Sequence, residues 1–165
     1  MTQKVLVFEP LKCVGCRLCE HACTMKHHGV SNPEKSRIRI IRDHLSQLDL
    51  ATYCHSCYNA PCIMACNFEA LSKDPKTNAI VVDNDNCTAC RSCISKCPHA
   101  APSMHPNGEY VLICDLCGGT PECVTICPEQ AIQYLKIEKA DIIYKSIYAE
   151  EMAEKLIGRG VKKSE

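Results

Sequence analysis

The sequence has few of the large apolar side chains that normally build a protein core. It contains no Trp and only two Phe among 165 residues, and Leu, Ile, Val and Phe together number 36. These four residue types make up about one fifth of the chain, and chains with less than about one fifth tend to stay disordered. Because a chain of this length would ordinarily bury about 70% of its unfolded surface in one core, something other than hydrocarbon packing must stabilise the fold.

Further absences exclude several classes of function. Lys and Arg number 19, as do Asp and Glu, so the chain lacks the basic excess that is typical of nucleic-acid binding. No apolar run approaches 18 residues, so we expect no direct insertion into a membrane. The sequence also lacks a Gly-rich phosphate loop and a nucleophile with a base at a meaningful spacing, so we expect no catalytic residue and no enzyme activity of its own.

What the chain has in abundance is cysteine, with 16 residues or about one in ten. The first ten residues show neither a basic region followed by an apolar run nor a twin arginine, which predicts a cytoplasmic location unless a partner subunit carries an export signal. Disulfides are rare in a reducing cytoplasm. We therefore expect the cysteines to be thiolates bound to metal.

The cysteines fall into four groups of four, with none left over. The groups are Cys13, Cys16, Cys19 and Cys23; Cys54, Cys57, Cys62 and Cys66; Cys87, Cys90, Cys93 and Cys97; and Cys114, Cys117, Cys123 and Cys127. The third group, followed by Pro98, matches the C-x2-C-x2-C-x3-C-P run of bacterial ferredoxins. In that run three sulfurs bind one cuboidal cluster and the fourth cysteine ligates the neighbouring cluster, so the groups are expected to work in pairs.

Two pairings of the groups are open on spacing alone. Between Cys66 and Cys87 the sequence predicts a turn at Asp74-Pro75 and Thr77-Asn78 and a strand that enters the third group, which favours pairing the second group with the third. Groups one and four would then pair, with residues 5–8 and 131–135 as opening and closing strands. Sequential pairing, one with two and three with four, is the competing arrangement.

Residues 5–135 resemble the four-cluster electron-transfer subunits that accompany molybdenum or tungsten pterin enzymes, hydrogenases and carbon monoxide dehydrogenases. The stretches at 12–20 and 36–40 are most similar to small subunits of tungsten aldehyde oxidoreductases and benzoyl-CoA reductases. The resemblance implies the nested pairing, in which group one pairs with group four and group two with group three. Because all sixteen positions are Cys, it also implies four [4Fe-4S] clusters. The departures are Thr24 and Asn67, where a Pro often follows the fourth cysteine.

The resemblance also implies four ligand sets. The first set is Cys13, Cys16, Cys19 and Cys127; the second is Cys54, Cys57, Cys62 and Cys97; the third is Cys87, Cys90, Cys93 and Cys66; the fourth is Cys114, Cys117, Cys123 and Cys23.

The fold prediction is therefore α+β, with two bacterial-ferredoxin-like two-cluster units, one inserted in the other, plus a C-terminal helix. The outer unit comprises residues 1–50 and 106–139, the inner unit residues 51–105, and an amphipathic helix and tail residues 140–165. On that helix one face carries Ile142, Ala149, Ala153 and Leu156, with Met152 beside them. This stripe packs either on the body of the chain or on a partner or second copy.

The predicted function is an electron-transfer subunit. It relays electrons between a tungsten- or molybdenum-pterin catalytic subunit, of the aldehyde oxidoreductase type, and a further redox subunit or a soluble ferredoxin. The alternatives are a freely diffusing polyferredoxin and the iron–sulfur subunit of a carbon monoxide dehydrogenase or hydrogenase. An interaction module that zinc or redox-silent clusters merely staple together is disfavoured. Zinc sites usually separate two Cys pairs by a dozen or more residues, and four clusters spaced for pairwise contact favour electron conduction over a structural role.

The remaining polar residues are expected to play supporting roles. Sixteen thiolates matched four by four need no histidine ligand, so the seven histidines are expected at the surface or beside clusters, where hydrogen bonds tune reduction potential. Arg37, Arg39 and Arg42 lie on a β-like segment, where we expect a solvated strand edge rather than a docking site for an acidic partner.

Overall fold

The computed structural model describes residues 3–43 and 48–145, which include all sixteen cysteines. The strands are β1 (Lys4–Phe8), β2 (Arg39–Asp43), β3 (Leu48–Thr52), β4 (Leu71–Lys73), β5 (Ile80–Val82), β6 (Ser103–Met104), β7 (Val111–Leu112) and β8 (Ile132–Lys136). The helices are α1 (Leu18–His28), α2 (Pro61–Met64), α3 (Ser92–Lys96) and α4 (Glu122–Ile126), and residues 137–145 are also helical. These short elements make a small mixed protein of the ferredoxin-like class, as the α+β prediction requires.

The strands of the described residues form four two-stranded antiparallel sheets. β1 pairs with β8 from Lys4 opposite Lys136 to Phe8 opposite Ile132. The two stretches predicted as opening and closing strands therefore lie side by side, although 123 residues separate them along the chain (from 8 to 132). β2 pairs with β3 in the same antiparallel manner.

Two further hairpins flank the third cysteine group. β4 and β5 are joined by a turn in which Oδ1 of Asp74 accepts hydrogen bonds from the backbone N–H of Thr77 at 2.7 Å and of Lys76 at 2.9 Å. The turn predicted at this point is confirmed. β6 pairs with β7, with Met104 opposite Val111. This hairpin crosses the unit boundary that we placed between residues 105 and 106, because its second strand lies beyond that boundary.

Buried side chains of the described residues form two clusters, and each cluster contains cysteines. One contains Leu6, Phe8, Ile38, Ile40 and Ile132 together with Cys19, Cys23 and Cys123. The other contains Leu71, Ile80, Val111 and Ile113 together with Cys54, Cys62 and Cys93. Cys114 packs against both clusters. Cysteine side chains, most of them on helices, thus occupy positions that large apolar side chains fill in an ordinary core.

The helical segment at 137–145 begins three residues before the predicted start at 140, because strand β8 runs into it with no Gly or Pro between them. It packs on the body through Ala140, which is 3% exposed, and through Tyr144, whose hydroxyl donates to the carbonyl oxygen of Leu6 at 3.2 Å. Ile142, a member of the predicted stripe, is 67% exposed, so this part of the stripe does not face the body. The other stripe residues, Ala149, Met152, Ala153 and Leu156, lie outside the described residues.

Candidate metal centres

Three hollows in the structure are each lined by four cysteines. One is lined by Cys13, Cys16, Cys19 and Cys127, another by Cys54, Cys57, Cys62 and Cys97, and the third by Cys66, Cys87, Cys90 and Cys93. The hollows of the first, second and third sets have similar volumes of about 350, 340 and 310 Å³, which include the solvent-filled openings. Each hollow takes three cysteines from one sequence group and the fourth from another. The members of the first, second and third sets are thus brought together.

The fourth set gathers where helices α1 and α4 pack against each other. Burial raises the pKa of Cys123 to about 12, and the neighbouring thiolates of Cys117 and Cys23 add to the effect. Burial also raises the pKa of Cys114, whose neighbours include Cys123, Cys23 and, from the second set, Cys54. All sixteen predicted ligands therefore lie beside the other members of their sets, while the binding of iron stays a prediction.

The spacing of the sulfurs distinguishes between a single metal ion and a cluster. Four thiolates around one zinc ion at 2.3 Å would lie about 3.8 Å from one another. Among the described residues, no three cysteine sulfurs lie within 4.8 Å of one another. The free thiols are spread around an apolar hollow. This spacing fits a polynuclear cluster better than a single ion, because each iron of such a cluster binds a separate sulfur.

The four C-x2-C loops share one backbone conformation. The second residue after the first cysteine has a positive φ, which is 67° at Gly15, 48° at Ser56, 55° at Ala89 and 57° at Leu116. A residue other than glycine held in this region costs of order 1–3 kcal/mol and persists only where the surroundings require it. Small residues are present at 15 and 89, but Ser56 and Leu116 show that small size is not required.

This conformation directs a backbone N–H at a cysteine sulfur. The N–H of Ser56 donates to Sγ of Cys54 at 3.4 Å. The N–H groups of Gly15 and Leu116 likewise donate to the cysteine two positions earlier and partly offset the effect of burial on the pKa of that thiol. Such bonds stabilise negative charge on a sulfur that binds metal. The strained loops therefore supply ligands that are already hydrogen-bonded.

A second repeated feature follows the fourth cysteine of three groups. The third residue after it has a positive φ at Glu69, Ala100 and Gln130, and the N–H of each donates to the carbonyl oxygen of the cysteine at 3.3 or 3.4 Å. The first group departs from this pattern, because Cys23 lies within the long helix α1 rather than at the end of a short one. Thr24, in place of a proline, leaves the backbone N–H that lets the helix continue to His28.

Burial keeps many of these thiols protonated when no metal is bound. It raises the pKa of Cys19 to about 12 and of Cys54 and Cys93 to about 11. Because a metal binds the thiolate, iron loading must release these protons, and the free energy of metal binding must compensate for their loss. Cys90 is the contrary case, since hydrogen bonds from Ser92 lower its pKa.

Charged residues from three parts of the chain meet beside the fourth set. Nη1 of Arg37 donates to Oδ2 of Asp115 at 2.6 Å, and Nε2 of His27 lies 3.3 Å from Oδ1 of the same carboxylate. The prediction of a solvated strand edge is therefore wrong for Arg37, because Asp115 lies within the fourth cysteine loop and binds it. The sequence signal for this pairing is the acidic residue between Cys114 and Cys117.

Arg42 also has an internal partner, close to the first set. It donates to Asp49 at 2.8 and 3.2 Å, and the carboxylate of Asp49 lies against Gly15, where an added Cβ would be 2.5 Å from Oδ2. Arg39 donates to the carbonyl oxygen of Glu34 at 2.8 Å. The three arginines thus make contacts within the chain, but Arg42 remains 54% exposed on strand β2, as expected of a solvated strand edge.

Histidines lie beside the cysteine sets, as expected. His27 contacts Sγ of Cys117 at 3.7 Å. His55 and His99 line the hollow of the second set and stack on each other, with ring centroids 4.1 Å apart. His55 also stacks on Tyr53 at 4.7 Å, and burial, reinforced by His99, lowers the pKa of His55 to about 4.

The ferredoxin-like fold and the sets of four free thiols define the class of this chain as an iron–sulfur protein. Its residues 45–137 match the family described as the 4Fe-4S dicluster domain. That match begins after the first cysteine group and includes the other three. No helix among the described residues is both long and apolar enough to cross a membrane.

Several relatives have names that refer to ferredoxins or to electron transport. The chain is 41% identical over 143 residues to the polyferredoxin-like subunit of an aliphatic sulfonate oxidoreductase from Pyrococcus furiosus, covering 87% of this chain and 81% of that protein. It is 34% identical over 148 residues to the putative electron transport protein YsaA of Escherichia coli, covering 82% and 92% of the two chains. A solved structure of the benzoyl coenzyme A reductase active site complex BamBC, as isolated, matches at 25% identity over 96% of this chain and 92% of that chain, with a TM-score of 0.46.

The chain belongs to the 4Fe-4S dicluster domain family. It is an iron–sulfur electron-transfer subunit, and this part of the sequence prediction is confirmed.

Proposed function

We propose that this chain is a non-catalytic relay that holds four [4Fe-4S] clusters in two nested ferredoxin-like units. The observation that carries the proposal is the grouping of the cysteines. Three hollows each combine three cysteines of one sequence group with the fourth cysteine of another, and Cys23 of the first group lies beside Cys114 and Cys123 of the fourth. Each bound cluster would supply one-electron redox chemistry. The cysteine loops determine where these clusters sit.

The pairing of β1 with β8 and the packing of α1 on α4 support an outer unit built from both ends of the described chain. The packing of α2 on α3 and the β4–β5 hairpin support an inner unit between them. Because Val111 and Ile113 belong to the buried cluster of the inner unit, we place its end near residue 113 rather than 105.

The neighbouring thiols suggest an order for the four sets. Cys19 of the first set lies beside Cys123 of the fourth, Cys114 of the fourth beside Cys54 of the second, and Cys62 of the second beside Cys93 of the third. We infer a relay in the order first, fourth, second, third. In this order the partly buried Cys114 forms the junction between the two units.

A double-substitution experiment tests the nested pairing. If Cys127 and Cys13 ligate the same cluster, Cys127→Ala/Cys13→Ala should lose about as much iron as either single variant, roughly four irons. The pair Cys127→Ala/Cys87→Ala should then lose about twice as much, because it damages two clusters. Sequential pairing predicts the reverse for the two double variants. Iron and acid-labile sulfide per chain, measured on anaerobic preparations, decide between them.

The partner that we propose is a tungsten- or molybdenum-pterin catalytic subunit, with a further redox subunit or soluble ferredoxin at the other end of the relay and a cytoplasmic location. Relatives named as subunits of an aliphatic sulfonate oxidoreductase and a thiosulfate reductase support a catalytic partner. Purification of the chain from its native host should yield a complex that contains a pterin and its metal. Elution of a cluster-loaded chain at its own mass of 18.3 kDa would instead indicate a freely diffusing polyferredoxin.

A further inference from the structure

The fourth set differs from the other three in the charged residues that surround it. Nε2 of His27 lies 3.7 Å from Sγ of Cys117 and 3.3 Å from Oδ1 of Asp115. The other carboxylate oxygen of Asp115 accepts a hydrogen bond from Arg37 at 2.6 Å. The imidazole is thus held between a predicted cluster ligand and an anchored carboxylate.

The chemistry of these groups determines which atom carries the proton. A cysteine that binds iron has lost its proton, and the carboxylate of Asp115 forms an ion pair with Arg37, whose Nη1 donates to Oδ2 at 2.6 Å. Both groups can then only accept a hydrogen bond. The hydrogen must reside on Nε2 of His27, which donates to the Cys117 sulfur and the carboxylate together.

The same network reaches a second ligand of the set. The backbone N–H of Arg37 donates to Sγ of Cys23 at 3.4 Å, and that of Cys117 donates to Oδ1 of Asp115 at 3.0 Å. Arg37, Asp115 and His27 therefore position donors at two of the four sulfurs.

We propose that His27 sets the reduction potential of the cluster in the fourth set by donating its Nε2–H to Cys117. An added electron increases the negative charge on the cluster sulfurs, so a donor stabilises the reduced form more than the oxidised form and raises the potential. Arg37 and Asp115 are positioning residues that hold the imidazole in place. The inference rests on the proposed four-cluster function and assigns the more easily reduced site to the junction of the two units.

Two variants of similar side-chain size test the role of the donor. His27→Gln keeps an N–H within reach of Cys117, whereas His27→Leu keeps the bulk and has no donor. Loss of one such hydrogen bond should make reduction of that cluster about tenfold less favourable, a downward shift of about 59 mV for one electron. His21→Leu is the matched control, since His21 lies on the same helix but bonds to Ser31.

The measurement is a potentiometric titration of the holoprotein followed by electron paramagnetic resonance, with iron determined on the same samples. We expect one of the midpoint potentials to fall in His27→Leu, to recover most of the way in His27→Gln and to stay unchanged in His21→Leu. The proposal is overturned if no midpoint moves beyond the control, or if Gln shifts it as far as Leu.

A measurement on the reduced wild-type protein covers the case in which His27→Leu loses iron. Histidines labelled with ¹⁵N should give a nitrogen coupling that disappears in His27→Gln, whereas couplings from His55 and His99 beside the second set remain. A set of couplings that His27→Gln leaves unchanged would overturn the proposal. The iron content of the wild type distinguishes the four-cluster function from the role of His27. Wild-type protein with much less iron than four clusters need would contradict the proposed function. Unshifted potentials in fully loaded protein would contradict only the role of His27.

Discussion

Substitution of Gly15 by alanine should destabilise the first cysteine loop through two separate effects. The backbone at Gly15 has a φ of +67°, and a Cβ there would lie 2.5 Å from Oδ2 and 2.9 Å from Cγ of Asp49. Asp49 cannot move away freely, because its side chain is 6% exposed and bound to Arg42 at 2.8 Å. The substitution therefore introduces both an unfavourable backbone conformation and a steric clash.

The two effects can be separated by a control on the same chain. Gly29 has nearly the same φ, +65°, but nothing lies within 4 Å of an added Cβ. A left-handed alanine costs roughly 1–2 kcal/mol at either position. The clash with Asp49 adds about 1–3 kcal/mol, the usual cost of overpacking, at Gly15 alone.

The assay is thermal loss of the visible cluster absorbance, measured anaerobically at one scan rate because the loss is irreversible. At about 2–4 °C per kcal/mol for a chain of this size, the midpoint of Gly15→Ala should lie roughly 2–12 °C below that of Gly29→Ala. Iron analysis should show that the losses in Gly15→Ala begin with one cluster. Equal midpoints for the two variants would refute the packing of Asp49 against this loop.

Three further predictions test other parts of the fold. Thr24→Pro should destabilise the protein by about 3 kcal/mol or more, because it breaks helix α1. Asn67→Pro should be tolerated, since Pro98 and Pro128 occupy the equivalent positions. Circular dichroism and iron content of the two variants provide the test, and equal loss of helix and iron in both would contradict the prediction. Ile132→Ala should lower the free energy of unfolding by about 2–5 kcal/mol, because Ile132 is 2% exposed in the β1–β8 pair. Ile137→Ala, at a residue 44% exposed, should shift the thermal midpoint little. Comparable shifts of the thermal midpoint in the two variants would argue against the burial of Ile132 between these strands. Removal of iron with a chelator should abolish the cooperative thermal transition, because the free energy of metal binding replaces that of a large apolar core; a sharp calorimetric transition in the apo chain would show otherwise.

Local patterns in the sequence were sufficient to predict much of this fold. The cysteine spacings predict the four loops, and the turn residues around Asp74 predict the β4–β5 hairpin. The apolar stretches at 5–8 and 131–135 predict the strands that pair at the ends of the described chain. Each of these features depends on residues close together in sequence or on a motif with one established geometry.

The features that were missed depend on contacts between distant residues. Arg37 has the spacing of an exposed strand residue, and only the folded chain brings it to Asp115, 78 positions away. The hairpin of β6 and β7 uses strands of two residues each, too short for an alternating pattern. Leu116 has a positive φ against its intrinsic preference, since its N–H is directed at Cys114.

The account depends above all on each set of four cysteines binding one [4Fe-4S] cluster. Iron and acid-labile sulfide, determined per chain on protein purified without oxygen, test it most directly. Four clusters of four irons predict about sixteen of each in a brown protein. Colourless protein with about four zinc ions per chain, one for each set of thiols, would contradict the claim.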